Sequence, residues 1–361
     1  MFKESQVDWL KLPAREYRKL NERLQYGADK VVAEYCGLKR IPNYFDGHWQ
    51  HGWIAPYFNV HFSHLIPEKI LDKSKEVCFV ARKDQEEFYK TNGYISKAIG
   101  LPIAYTQPSE CSRKKGSLLV MPAHSNEYTK HRWKFEQYAD EINSLKSHFS
   151  EIVVCVHKGC VVNNYWIGEF SSRGFPIIIG ADAKDRNSLT RMRHLMEHFE
   201  FVTTNAYGSC IAYAAAFGAK VSIYGSFSQP NVDDFSEIKH CHDNSFWERN
   251  VYLQSENKTR EELNDFFTHP VFAKDRTAWG SRQIGCENVI SPEELKKHFM
   301  WTKRDMFLRH INKNFCLFEI ELAKRTPRFI KNILNFLLKT KQRQQMPSCK
   351  STKMPGKSQI F

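Results

Sequence analysis

The chain has 361 residues, 42% hydrophobic and 26% charged, a balance that excludes a wholly disordered or fibrous protein. No apolar stretch reaches the roughly 20 residues a membrane-crossing helix needs, and residues 1–6 lack the apolar core of a cleaved signal, so the chain is expected to stay where it is made. Net charge is +13, but residues 303–361 hold 14 Lys and Arg against 3 Asp and Glu, leaving the preceding part nearly neutral. Basicity confined to a tail argues against a nucleic-acid partner, whose phosphates would call for positive charge on the domain that holds the site. The ten cysteines are scattered without a CxxC pair, as in a reducing compartment. His240-Cys241-His242 has no second ligand pair at zinc spacing, so neither a metal site nor a cofactor is expected.

In chain order, the 3.6-residue apolar period through Tyr17, Leu20, Leu24, Ala28, Val31 and Val32 predicts a helix over 14–36. The aromatic stretch 41–53 reads as a strand entering a loop. A strand over 77–80, a helix over 83–99 closed by Gly100, and a strand over 102–105 follow. The polar connection 107–116 marks a boundary between an N-terminal domain, 1–112, and a second domain, 113–302. There, strands at 118–121, 152–157, 176–179, 201–203 and 220–224 alternate with helices at 133–149, 165–173, 188–199 and 209–217. Continuous apolar strands between such helices are the pattern of a parallel sheet covered on both faces. The fold class expected is α/β, with two Rossmann-like domains and right-handed crossovers. Residues 226–290 are polar and irregular, with helix starts after Thr259 and at Ser291. Residues 303–343 read as basic amphipathic helices and 344–361 as a disordered tail.

In doubly wound sheets, ligands sit beyond the carboxyl ends of strands, so the residues just after each strand carry the functional reading. Thr203, Thr204, Asn205, Gly208 and Ser209 follow one strand and open a helix, where hydroxyls and helix N–H groups suit a phosphate. His157 and Lys158 end another strand and suit a phosphate equally. In the first domain His48 and His51 stand among tryptophans, and a histidine there suits acid–base work at neutral pH. Asp46 and Glu110 are carboxylate alternatives for the base.

The segment from Phe201 to Gly225, with Thr-Asn closing a strand, Gly-Ser opening an alanine-rich helix and a strand ending in glycine, resembles the donor-binding segment of bacterial GT-B glycosyltransferases. The similarity is greatest to surface-polysaccharide enzymes of capsule and lipopolysaccharide synthesis, including those that use CMP-activated acidic sugars. In the latter a His-Pro pair contacts the nucleotide phosphate. Here His157 matches and Lys158 replaces the proline. The resemblance implies an inverting, metal-independent glycosyltransferase, with a nucleotide-sugar donor held by His157, Lys158, Thr203, Thr204, Asn205, Gly208 and Ser209. His51 is then the expected base, with His48 beside it, and the acceptor is a glycan or a lipid-linked glycan. The absence of a DxD triad and of glutamates paired eight residues apart agrees with inversion without a metal. A wall-polymer polyol-phosphate transferase and a noncatalytic scaffold derived from a transferase are the competing readings.

The apolar face Phe329, Ile330, Ile333, Leu334 and Leu337, flanked by Arg328, Lys331, Lys339, Lys341 and Arg343, suits an anionic membrane surface. A peripheral position at the inner face of the cytoplasmic membrane is therefore expected. The full chain should co-sediment with anionic but not neutral vesicles, and deletion of 326–361 or high salt should release it. Equal, negligible sedimentation with both lipids would defeat this expectation.

Overall fold

The computed structural model of the chain describes residues 3–19, 24–42, 44–45, 47–60, 76–124, 129–236 and 244–307. Residues 1–300 form one compact unit. The second unit is described only over 301–307, which ends in a helical turn from 303, so the helices and tail expected beyond it lie outside the described residues.

Two parallel sheets organise the first unit. The smaller has the order β1 (His48–Trp49), β2 (Val77–Val80), β3 (Ile95–Ala98). The larger joins β4 (Lys114–Val120), β5 (Glu151–Val156), β6 (Ile177–Ile179), β7 (Phe199–Thr204) and β8 (Lys220–Ile223) in the order β6-β5-β4-β7-β8. Every pairing in it is parallel. The chain thus runs outward from β4 to one edge, then returns to the other side of β4, creating a change of direction between β4 and β7. Strands such as β5, apolar from Ile152 to Val156, are buried on both faces because helices cover both. One core lies under α3 (Phe135–Asn143) and α5 (Ile167–Ser172), where Tyr138, Ile142, Trp166 and Phe170 close over β4 and β5. The connections include α1 (Ala28–Tyr35), α2 (Lys83–Thr91), α4 (Lys158–Val162), α6 (Ser188–His198) and α7 (Ser209–Ala216). After β8 come α8 (Asn244–Leu253), α9 (Glu256–Leu263), α10 (Thr277–Gln283) and α11 (Pro292–His298).

The α/β class and the regular alternation of the second half agree with the sequence reading; several elements differ. The helix expected over 14–36 exists only as α1. Residues 3–19 run without helix over the larger sheet, with Ser5 N–H on Ile177 O at 2.8 Å and Arg18 N–H on Lys184 O at 3.0 Å, and a 3-10 turn over Gln25–Gly27 leads into α1. Within 14–36, bonds to the 183–186 stretch beyond β6 replace those a helix would have made internally, while Ser5 covers an edge of β6 that would otherwise be open. The helix expected over 83–99 stops at Thr91, because Gly93 turns the backbone to φ +82° and β3 follows. Residues 102–105 form a 3-10 turn begun by Pro102 in place of a strand. β4 starts earlier than expected, with a register shift between Lys114 and Leu118.

After α10 the chain runs beside the smaller sheet, where Ile284 O accepts Leu101 N–H at 2.9 Å and Asn288 donates to Ala81 O at 3.0 Å. α10 packs on α7 at backbone contact. A Cβ at Gly280 would lie 2.2 Å from Ala216 N and 2.7 Å from the Ala215 carbonyl carbon. Gly280→Ala should therefore lower unfolding free energy by about 1–3 kcal/mol, the cost of overpacking, in a denaturant titration. Gly168→Ala, where nothing stands within 4 Å, should be neutral or stabilising.

Candidate functional site

A cavity of about 280 Å³ opens where the carboxyl ends of β4, β5, β6 and β7 meet the loop after β1. It contains the change of strand direction, where the chains on either side diverge and leave space. Two further chambers, of about 230 and 330 Å³, adjoin it, and His124 and Tyr207 line all three.

The loop after β1 is fixed by both sheets. Gln50 N–H donates to Phe79 O at 2.9 Å, and its side-chain oxygen accepts Ala81 N–H at 3.1 Å. From the other side, Ser209 Oγ accepts Trp53 N–H at 2.9 Å, Tyr207 Oη accepts Ala55 N–H at 2.9 Å, and Tyr213 donates to His51 O at 3.1 Å. His51 is thereby held on the cavity wall. Tyr26 packs on its ring at a centroid distance of 5.7 Å. Tyr26 itself stands at φ +58°, a left-handed conformation rare for a side chain of this size. The following Gly27 is equally constrained, since a Cβ there would lie 1.9 Å from Arg186 O.

Three histidines, 51, 124 and 157, line the cavity, and no Asp, Glu, Lys or Arg does so among the described residues. The rings of His51 and His124 face the open cavity space, yet protein encloses that space on most sides, and this enclosure governs their protonation. Burial first, and His124 second, lower the pKa of His51. His124 is pushed down to about 3, by burial first and then by His157 and His131. Both are neutral at pH 7. His157 caps α4, its Nδ1 accepting Gly159 N–H at 3.0 Å, which leaves Nε2 as the ring's N–H donor. α7 begins at Gly208 without a side-chain cap, and a Cβ at Gly208 would meet only Cys210 Sγ, at 3.8 Å. The N-terminal end of this helix, with its partial positive charge, thus abuts open space.

Of the residues expected from sequence, the structure gathers His51, His157, Thr204, Gly208 and Ser209 around one cavity. It places the others elsewhere. His48 points into the smaller sheet's surroundings, 2% exposed, with Nε2 2.8 Å from Glu76 Oε2, because strand alternation turns it away from the loop that carries His51. Thr203 faces the neighbouring strand, accepting Ser222 Oγ–H at 2.9 Å. Asn205 braces three strand ends: its oxygen accepts Ala123 N–H at 2.9 Å, and its amide donates to Ser226 O at 3.0 Å and Ser228 Oγ at 2.8 Å. Lys158 enters the first turn of α4, and its side chain is not on the cavity wall. Glu110 is exposed and away from the cavity, whereas Asp46 and the 240–242 cluster lie outside the described residues. Among the described residues no group of three His, Cys, Asp or Glu could hold a metal ion.

Sequence reasoning missed Tyr26, His124 and Tyr207. Met121-Pro-Ala-His124 follows β4 directly, so inspection of every strand end would have found His124. Tyr26 had no such signal, because its place depends on a left-handed turn in a stretch whose apolar period reads as helix.

No protein-family model matches the chain, and no curated protein matches it. Among solved structures it is similar to the pneumococcal O-GlcNAc transferase GtfA in complex with UDP and GlcNAc, with 12% identity and a TM-score of 0.30. The match covers 65% of this chain and 45% of that one, so it spans less than half of the transferase's length.

The depressed pKa of His124 sets a direction for stability. Above pH 6.5 the ring is neutral in folded and unfolded chains alike and contributes no pH dependence. Between about 6.5 and 3 the unfolded chain binds a proton that the folded one refuses, so stability falls with pH in that window. The unfolding midpoint of the native chain should drop more steeply from pH 7 to pH 4 than that of His124→Asn, as read by thermal melts across the range.

Proposed function

We propose that the protein is a glycosyltransferase that takes a sugar from a nucleotide-activated donor. The observation that carries this reading is the cavity at the diverging strand ends, where the segment resembling a donor-binding motif meets a histidine from the opposite sheet. The donor's phosphates would lie against the uncapped start of α7, with the His157 ring as a further donor and the Thr204 hydroxyl, engaged with Ala206, bracing the turn. With no cationic side chain on the wall among the described residues, backbone amides and neutral donors would bear the charge that develops on the leaving phosphate. Ser209 contributes indirectly, because its hydroxyl is engaged with Trp53.

His51 is the proposed base. A neutral imidazole can accept a proton from an acceptor hydroxyl, and its lowered pKa favours that neutral form at pH 7. In-line attack with inversion follows if this single base acts from the face opposite the phosphate. Capsule or lipopolysaccharide synthesis, a CMP-linked donor and a lipid-linked acceptor at the membrane surface remain parts of this proposal supported by the sequence resemblance and the basic tail.

Nucleotide binding tests the donor site. CMP, CDP or UDP should raise the melting temperature of the full chain, since a ligand bound only to the native state stabilises it. No shift with any nucleotide, with or without magnesium, would refute the donor site. His51→Gln should lower turnover by about 10²–10⁴ while leaving that shift intact. Native turnover in the folded variant would remove His51 as the base. With His51 acting, the acid limb of kcat should lie below pH 6.5, the ordinary histidine value.

A further inference from the structure

The segment after β8, polar and irregular in sequence, adds no strand to the sheets among the described residues beyond a single bridge from Phe267 to Ile223, and α8 is where it becomes informative. One face of α8 buries Phe246, Trp247 and Leu253, and Phe235 stacks on Trp247 at 4.5 Å. Another carries Asn250 and, one turn on, Gln254, which line the chambers of about 230 and 330 Å³ but not the cavity at the strand ends. Gln254 Nε2 donates to Asn250 Oδ1, so the pair keeps an amide N–H group and a carbonyl oxygen available for a ligand.

The larger chamber sets these amides opposite aromatic rings. Tyr207 and Phe235 line it, and so does His131, which is stacked on Trp133 at 4.0 Å and held by Asp234 at 2.6 Å. No Lys, Arg, Asp or Glu lines either chamber among the described residues. Asp234 stands behind His131, 7% exposed and already paired. A carboxylate or phosphate entering here would lose water without gaining a counter-ion, and it would approach a buried carboxylate. Hydroxyl groups, by contrast, can exchange water for amide and histidine partners at little cost, and the C–H faces of a sugar ring suit aromatic walls. The first cavity differs from this larger chamber: its walls are mostly apolar, and it holds the start of α7, which otherwise borders only the smaller chamber.

We infer that the chamber under α8 is a carbohydrate subsite for an uncharged sugar unit, the acceptor end of the transfer proposed above, read out by Asn250 and Gln254. The inference rests on the proposed function for the word acceptor, but the binding itself does not. His124 and Tyr207 line both compartments, so a sugar seated here would meet a donor seated at the strand ends.

Saturation-transfer NMR on the full chain tests it, with the methyl glycosides of glucose, galactose and N-acetylglucosamine as neutral probes, and methyl glucuronide and N-acetylneuraminic acid as acidic ones. At least one neutral glycoside should bind, with the acidic probes at least tenfold weaker. Asn250→Ala and Gln254→Met should each weaken the neutral probe tenfold or more while leaving the nucleotide-induced melting shift unchanged. The two substitutions differ in shape, and a melting midpoint within a few degrees of native identifies a folded variant. Binding of no neutral probe, equal binding of acidic probes, or unchanged affinity in both folded variants would overturn the inference. A native chain that binds the neutral glycoside through these residues yet shows no nucleotide shift would sink the transferase reading and leave the subsite standing.

Discussion

The arrangement of the site depends on the hydrogen bonds by which the start of α7 grips the loop after β1. Ser209 Oγ both accepts from Trp53 N and lies within 3.4 Å of Trp53 O, while Tyr207 and Tyr213 bind Ala55 N and His51 O. Gly52 makes the approach possible, since a Cβ there would fall 2.9 Å from Ser209 Oγ. Each neutral hydrogen bond is worth only about 0.5–1.5 kcal/mol, but together they set the position of His51 relative to the helix end. The same short segment therefore offers amides to a ligand and fixes the group proposed to act on it. A mutation at Ser209 would disturb both at once.

Electrostatics give the cavity its second character. Three histidines share a space from which side-chain charge is absent among the described residues; burial lowers the proton affinity of His51 and His124, and His124 and His157 respectively add to that effect. Neutral histidines serve as base and hydrogen-bond donors without imposing a charge on the apolar wall. Helix-end amides are then the main source of positive potential, and that potential is directional. The cost falls in acid, where the His51 and His124 rings resist protonation that the unfolded chain accepts.

Around this centre the remaining parts act as supports. Asn205 ties the ends of β4, β7 and β8 together with four hydrogen bonds from its side chain and backbone, and so keeps the cavity floor from spreading. The extended N-terminal strap follows the edge of the larger sheet, where Glu4 accepts Ile179 N–H at 2.8 Å and pairs with Arg15 at 2.6 Å. That strap delivers Tyr26 to the wall beside His51. The strained turn at Tyr26 and Gly27 is held by packing against the 183–186 stretch, where Ala183 O accepts Tyr26 N–H at 3.3 Å.

The sequence by itself determined the α/β class, the alternation from 114 to 223 and the strand-end positions of His157, Thr204, Gly208 and Ser209. Continuous apolar strands separated by helices are a local pattern, and residues just beyond a strand inherit their place from it. Tertiary structure alone decided which of those side chains face the cavity. Thr203 and Thr204 are neighbours, yet the pleat sends one hydroxyl to Ser222 and the other to Ala206 beside the cavity. It also decided the fate of 14–36, whose helical period was overridden by hydrogen bonds to the 183–186 stretch, more than 150 residues away in the chain. His51 and His124 meet because two separate sheets converge, and no spacing within either segment encodes that convergence.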